Sequence, residues 1–245
     1  DTRAHERLKG MVGARAGFRA GQLEAIRATF VDRQRTLLVQ KTGWGTSIVY
    51  FIATKLLREA GSGPTLLISP LLSLMRNQLL MAQRIGIRAL TINSANRQQW
   101  DEVREALAND ACDVLMISPE RLASEQFHTD FLAAIPKGIG LFVVDEAHCI
   151  SDWGHDFRPD YRRILRIVQN LPSTVPILAT TATANDRVVA DVVEQVGRGG
   201  ELEGGGSVDR RVGTTVGIVQ FAGVDAAGGE SFSIHVTHCN SCLFC

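Results

Sequence analysis

What the chain lacks excludes several classes at once. No apolar run approaches the roughly 18 residues of a membrane helix, and the chain opens on a polar segment rather than a secretory leader. Neither charge is in excess, since 26 Lys and Arg meet 26 Asp and Glu. Global electrostatic capture of nucleic acid is therefore not indicated, although a local basic stripe is compatible with zero net charge. Lysine is scarce, at 4 against 22 arginines, an asymmetry that codon bias explains better than phosphate recognition does. Cysteine is nearly absent from residues 1–197, where Cys112 and Cys149 stand alone. Nothing there needs an oxidising compartment, which predicts a cytoplasmic protein. Collagen-like, disordered, disulfide-framed and membrane classes are all set aside.

What remains is an ordinary globular composition with an α/β rhythm. Short apolar runs bounded by turn residues predict strands at Thr36–Gln40, Thr65–Ser69, Ala89–Ile92, Asp113–Ile117, Leu141–Val144 and Ile177–Thr180. Helix-period stretches lie between them at Gly21–Val31, Thr46–Glu59, Leu71–Ile85, Arg97–Ala108 and Ala184–Val196. Alternation of this kind predicts a doubly wound, mainly parallel sheet, whose ligands bind at the carboxyl ends of the strands. After Gly197 the pattern fails. Residues 198–245 hold 10 of the 23 glycines and no helical period, so they are expected to form a Gly-rich linker and irregular tail, with one strand at Thr214–Phe221.

Two constellations carry chemistry. The first, Lys41-Thr42-Gly43-Trp44-Gly45-Thr46-Ser47, leaves a strand and opens a helix. A glycine-rich turn there aims backbone N–H groups and a helix N-terminus at phosphate oxygens. Ser47 stands where a hydroxyl coordinates the Mg²⁺ of a nucleotide, but the position before it, where lysine reaches the β- and γ-phosphates, holds Thr46. In the second, Phe142-Val143-Val144 leads into Asp145-Glu146-Ala147-His148. Adjacent carboxylates at a buried strand end are costly without a cation or hydrogen bonds. A Mg²⁺–nucleotide supplies that compensation, with Asp145 holding the metal and Glu146 polarising the attacking water.

From Gly17 to about Gly197 the chain resembles the amino-terminal RecA-like domain of superfamily 2, DEAH-box helicases, specifically the RecQ family of DNA helicases. The resemblance rests on motifs in the family's order. Gly17-Phe18-Arg19-Ala20-Gly21-Gln22 is similar to the adenine-recognition motif, with Gln22 as base reader and Phe18 and Arg19 beside it. Ser69–Gln78 is similar to motif Ia, which implies DNA contacts from Ser73, Arg76 and Asn77. Ile92-Asn93-Ser94 and Ser118-Pro119-Glu120-Arg121-Leu122 resemble the next two nucleic-acid motifs, implicating Asn93, Ser94 and Arg121. Asp145–His148 resembles motif II, adding His148 to the catalytic set, and Thr181-Ala182-Thr183-Ala184 resembles motif III, implying a coupling role for Thr181 and Thr183. Residues 148–161 resemble the RecQ aromatic-rich loop. There Trp153, Phe157, Arg158 and Arg162 combine base-stacking rings with phosphate-neutralising cations.

The resemblance implies a three-layer RecA-like (P-loop NTPase) domain over residues 1–197, using ATP and Mg²⁺. It implies 3′–5′ movement on single-stranded and forked DNA in repair and recombination, in a nucleoid-associated protein with no membrane partner. It also implies a second RecA-like domain, for which residues 198–245 leave no room. Two readings follow: an ATP-dependent helicase represented by its ATP-binding half, or a catalytically silent nucleic-acid-binding module that lost the loop lysine at Thr46. His235, His238, Cys239, Cys242 and Cys245 are metal-type ligands, but they crowd into 11 residues with no scaffold. Zinc is not expected.

Overall fold

The computed structural model describes residues 1–70, 75–122, 124, 127–150, 164, 167–168, 171–182, 186–197 and 217–221. In chain order these form α1 (Thr2–Val12), α2 (Gln22–Phe30), β1 (Arg35–Val39), α3 (Thr46–Glu59), β2 (Thr65–Ile68), α4 (Met75–Arg84) and β3 (Ala89–Ile92). They continue through α5 (Trp100–Ala108), β4 (Val114–Ile117), α6 (Pro119–Leu122), β5 (Leu141–Val144), β6 (Ile177–Thr181), α7 (Asp186–Gly197) and β7 (Gly217–Phe221). The sheet order is β3-β4-β2-β5-β6-β1-β7. Its first six strands run parallel, and β7 pairs antiparallel with β1. The expected tail strand thus exists from Gly217 and joins the domain's own sheet.

Period-two alternation divides each strand between two apolar layers, as it must when both faces are covered. Leu37, Leu66, Ile68, Phe142 and Val144 face a core completed by Val103 and Leu107 of α5 and Val188 and Val192 of α7. Leu38, Leu67, Leu141 and Val143 face the opposite core, against α1, α2, α3 and α4. Three layers result, as the sequence rhythm predicts. The central strands β2, β4 and β5 are buried along their whole length, which is why they read as continuous apolar runs.

The differences from expectation are local. Helix α1 is not among the expected helices, yet Ala4, Leu8 and Met11 recur at helical spacing and are buried. The expected helix at Arg97 begins as an α-helix only at Trp100, after a 3₁₀ segment over Ser94–Gln99. Asn93 and Asn96 exchange side-chain-to-backbone hydrogen bonds there, which compete with α-helical pairing.

Register places the chemistry. Ile68 pairs with Val144, Val144 with Ala179 and Val39 with Thr181. Ser69, Asp145, Thr180, Thr181 and Gln40 therefore line up along one carboxyl edge of the sheet.

Candidate functional site

The phosphate loop connects β1 to α3. Gly43 and Gly45 have φ of 82° and 97°, left-handed values open to glycine at little cost. Gly45 is tight as well: a Cβ there would lie 2.9 Å from Gln22 Nε2. The Gln22 amide is 1% exposed and bound on both sides. Its Nε2 donates to the Trp44 carbonyl at 3.0 Å, and its Oε1 accepts from the Arg19 N–H at 2.9 Å. The Arg19 guanidinium donates to the Gly43 carbonyl. Gln22 and Arg19, expected at the adenine, are thus fastened to the phosphate loop itself. Phe18 is half-buried and meets the His5 ring edge-on at 4.8 Å. Thr42 and Gly43 are exposed, Trp44 and Thr46 half-buried, and Ser47 buried.

Ser47 opens α3 with Tyr50 one turn on. Tyr50 is fully buried. Burial, and then the nearby Asp145 carboxylate, raise the Tyr50 pKa well above its usual value. Tyr50 is thus buried within the field of the acidic pair. Sequence reading passed over it, although its i, i+3 spacing from Ser47 is a usable signal.

Asp145 lies just past β5, and its N–H donates to the Ile68 carbonyl at 2.9 Å. Thr180 Oγ1 donates to Asp145 Oδ1 at 2.7 Å, and Ser69 Oγ donates to Oδ2 at 3.4 Å. Burial raises the Asp145 pKa, with the Glu146 charge adding to it while the Thr180 hydroxyl opposes. Such a carboxylate favours a cation. Glu146 turns the chain with φ 55°, a left-handed conformation rare outside glycine that marks local strain. Its Oε2 lies 3.2 Å from His148 Nδ1, which is also 3.0 Å from Thr181 Oγ1. Hydrogen bonds to Cys149 and then to Glu146 raise the His148 pKa, and burial opposes them. The catalytic candidates Asp145, Glu146 and His148 and the coupling candidate Thr181 are thereby brought into one network.

The residues fit a Mg²⁺–nucleotide in part. A hydroxyl at Ser47, a half-buried carboxylate at Asp145 and a glycine cradle are the donor types it needs. The loop cation is not: Thr46 carries no charge. Among the described residues no three His, Cys, Asp or Glu side chains cluster as a metal site. Gln40, at the loop's start, buries its side-chain amide with no hydrogen-bond partner among the described residues.

Two of the nucleic-acid candidates, Asn93 and Arg121, stand at the other end of the same edge. Arg121 rests on Trp100, its guanidinium carbon 5.1 Å from the ring centroid, and Arg97 lies 5.6 Å from that centroid. The Trp100 indole N–H points to the Asn93 carbonyl and Asn96 Oδ1, both at 3.3 Å. Asn93 and Arg121, from separate motifs, thus meet at a tryptophan that lies in neither. Arg76 and Asn77 lie in α4 and Ser94 opens the 3₁₀ segment, their side chains outside the described set. Ser73, Trp153, Phe157, Arg158, Arg162, Thr183 and the terminal His and Cys cluster lie outside the described residues.

Comparisons with known proteins agree with this geometry. The DEAD/DEAH box helicase family profile matches residues 19–192. The chain is 42% identical to the ATP-dependent DNA helicase RecQ of Bacillus subtilis, covering 73% of this chain and 29% of that protein. It is 36% identical to the RecQ of Haemophilus influenzae, covering 77% and 29%. Among solved structures, the DUF1998 helicase MrfA aligns over 80% of this chain and 32% of its own, with a TM-score of 0.60 at 18% identity. The Hef helicase domain of Pyrococcus furiosus aligns over 74% and 36%, with a TM-score of 0.55 at 18% identity. These two show the fold. The chain spans less than a third of the length of these curated relatives. With a family profile over most of its length and RecQ helicases as relatives, the chain belongs to the DEAD/DEAH box helicase family.

Proposed function

We propose that this chain is the ATP-binding part of a RecQ-type DNA helicase, coupling hydrolysis at Asp145 and Glu146 to movement along single-stranded DNA. One observation carries the reading. The half-buried Asp145 carboxylate, at the carboxyl end of β5, is held by Thr180 on one oxygen and Ser69 on the other, on the same sheet edge as the glycine turn that opens α3. Bound ATP with Mg²⁺ supplies the phosphoanhydride bond whose hydrolysis drives movement. Ser47 and Asp145 would hold the ion, and the N–H groups of the glycine turn would face the phosphates. His148 occupies Oε2 of Glu146, leaving Oε1 to accept a proton from water. Thr181, on the same imidazole, carries the state of that turn to β6.

Family resemblance extends the reading to forked DNA, 3′–5′ polarity, repair and recombination, and a nucleoid-associated place in the cytoplasm. It also calls for a second RecA-like domain as the other wall of the ATP cleft. Thr46 sets the rate. A cation facing the phosphates stabilises charge that grows in the transition state, and losing one such stabiliser costs about 3–4 kcal/mol of barrier. Titration of ATP with and without Mg²⁺, alongside ATPase assay with and without oligonucleotide, tests the reading. Mg²⁺-dependent binding is expected, and Thr46→Lys raises affinity or turnover. If neither form binds ATP, the reading fails. If both bind and turn over equally, the lysine position is not the limiting defect.

A further inference from the structure

Arg97 and Arg121 converge on one indole ring from different elements, the 3₁₀ segment after β3 and α6 after β4. Two guanidiniums near one ring repel each other unless a counter-charge is present. Among the described residues neither has a carboxylate within 4 Å. Even Glu120, the immediate neighbour of Arg121, is exposed and unpaired with it. By contrast, Arg104 on the same side of the fold is matched by Asp101 at 2.9 Å. The ring beneath the two cations is fixed on three sides. Its N–H is aimed at Asn93 and Asn96, and Phe131 meets it edge-on at 6.0 Å. Asn96 is itself fastened to the Thr91 carbonyl at 2.6 Å. An aromatic platform that holds two cations with no acid beside them among the described residues is suited to a polyanion.

We propose that Arg97 and Arg121, oriented by Trp100, form a two-guanidinium seat for backbone phosphates of single-stranded DNA. The proposal rests on the helicase reading and deepens it, adding Arg97 as a phosphate ligand and Trp100 as a positioning residue. Guanidiniums on a ring face keep their N–H edges available, so phosphate is bound without reading base identity. The seat stands at the carboxyl end of β3 and β4, while the acidic pair stands at the carboxyl end of β5. A strand held there runs along the edge occupied by the nucleotide site and does not cover it.

The test is fluorescence anisotropy of a labelled oligothymidylate titrated with the full chain, without nucleotide, over a range of salt concentrations. Its outcome is thereby independent of the ATP titration that tests the helicase reading. Arg97→Gln and Arg121→Gln are each expected to flatten the slope of log affinity against log salt by about 0.7, the value for one phosphate on a single strand. Arg104→Gln, a charge-matched control, leaves the slope unchanged. Trp100→Phe keeps a ring under both cations and retains the slope. Trp100→Leu keeps both charges yet weakens binding about threefold through loss of the cation–π contacts, with circular dichroism reporting that each variant is folded. The proposal is overturned if the unsubstituted chain does not bind, if Arg97→Gln leaves the slope intact, or if Arg104→Gln flattens it equally. An unfolded Trp100→Leu leaves the decision to Arg97→Gln and Trp100→Phe, which do not remove the ring.

Discussion

Asp145 and Glu146 are adjacent in sequence but stand in different physical situations. Asp145 is half-buried with a hydroxyl on each oxygen, whereas the Glu146 side chain, 31% exposed, shares one oxygen with an imidazole. The first arrangement suits holding a cation, the second moving a proton. Glu146→Gln is therefore expected to leave Mg²⁺–ATP affinity within about twofold while reducing turnover by 100-fold or more, the order of a general-base contribution. Asp145→Asn instead removes most of the Mg²⁺ dependence of binding. Isothermal titration and single-turnover hydrolysis separate the two, and a mere fall in melting temperature for both would make the pair structural. The acidic pair and the glycine turn were legible from the sequence because catalysis confines their residue types to a short local pattern. Tyr50, despite its spacing from Ser47, and Trp100 were passed over. Each acts across the fold, on Asp145 or on Arg121, and a tyrosine or tryptophan in a helix reads equally well as core.

Elements are held at the other end of the sheet by a network far from the chemistry. Arg58 of α3 and Arg88, just before β3, both bind Asp113 at the start of β4, while Asp110 bridges Arg58 and Lys137. Burial raises the Asp113 pKa, but hydrogen bonds from the Arg88 side chain and backbone and from Arg58 outweigh it, taking it from 3.8 to about 2. A depressed carboxylate stabilises the fold above its unfolded pKa, and that stability is lost as pH falls through the folded one. Chemical denaturation should therefore show the advantage of the native chain over Asp113→Asn shrinking by about 2 kcal/mol between pH 5 and pH 2. A constant difference would mean that the pairs add nothing. Near this network the loops before β2 and β5 touch backbone to backbone: a Cβ on Gly140 would lie 2.2 Å from the Gly63 carbonyl oxygen. Gly140→Ala should lower the melting temperature by about 5–10 °C, as overpacking of roughly 2–3 kcal/mol does in a domain of this size. ATP affinity at the opposite edge stays unchanged, and an unshifted melting temperature would deny the close approach. The six parallel strands were legible to within a residue because burial on both faces leaves continuous apolar runs. Helix α1 was missed because its buried stripe is narrow and its remaining residues are mostly polar.

Across the whole molecule, the carboxyl edge divides into two halves that share β2. The nucleotide half uses the ends of β5, β6 and β1, and the proposed polynucleotide half uses the ends of β3 and β4. Ser69 leaves β2 between them and donates to Asp145 Oδ2, while Thr180 holds the other oxygen from the nucleotide side. The chain runs on from Ser69 into the segment that resembles motif Ia. On the proposed reading, a strand engaging that segment would move Ser69 and so reach Asp145 through this hydrogen bond. Linkage makes such coupling reciprocal, so ATP affinity measured with and without oligothymidylate gives the same factor as oligothymidylate affinity measured with and without ATP. Ser69→Ala should bring that factor toward one from the range of about 5 to 150 that is typical of coupled sites, leaving each separate affinity within about threefold. Thr180→Val removes the stronger hydrogen bond to Asp145 but stays within the nucleotide half. It should weaken Mg²⁺–ATP binding and leave the coupling factor as it was. The opposite pattern, with coupling lost in Thr180→Val and kept in Ser69→Ala, would route the signal through β6 and the His148–Thr181 contact instead.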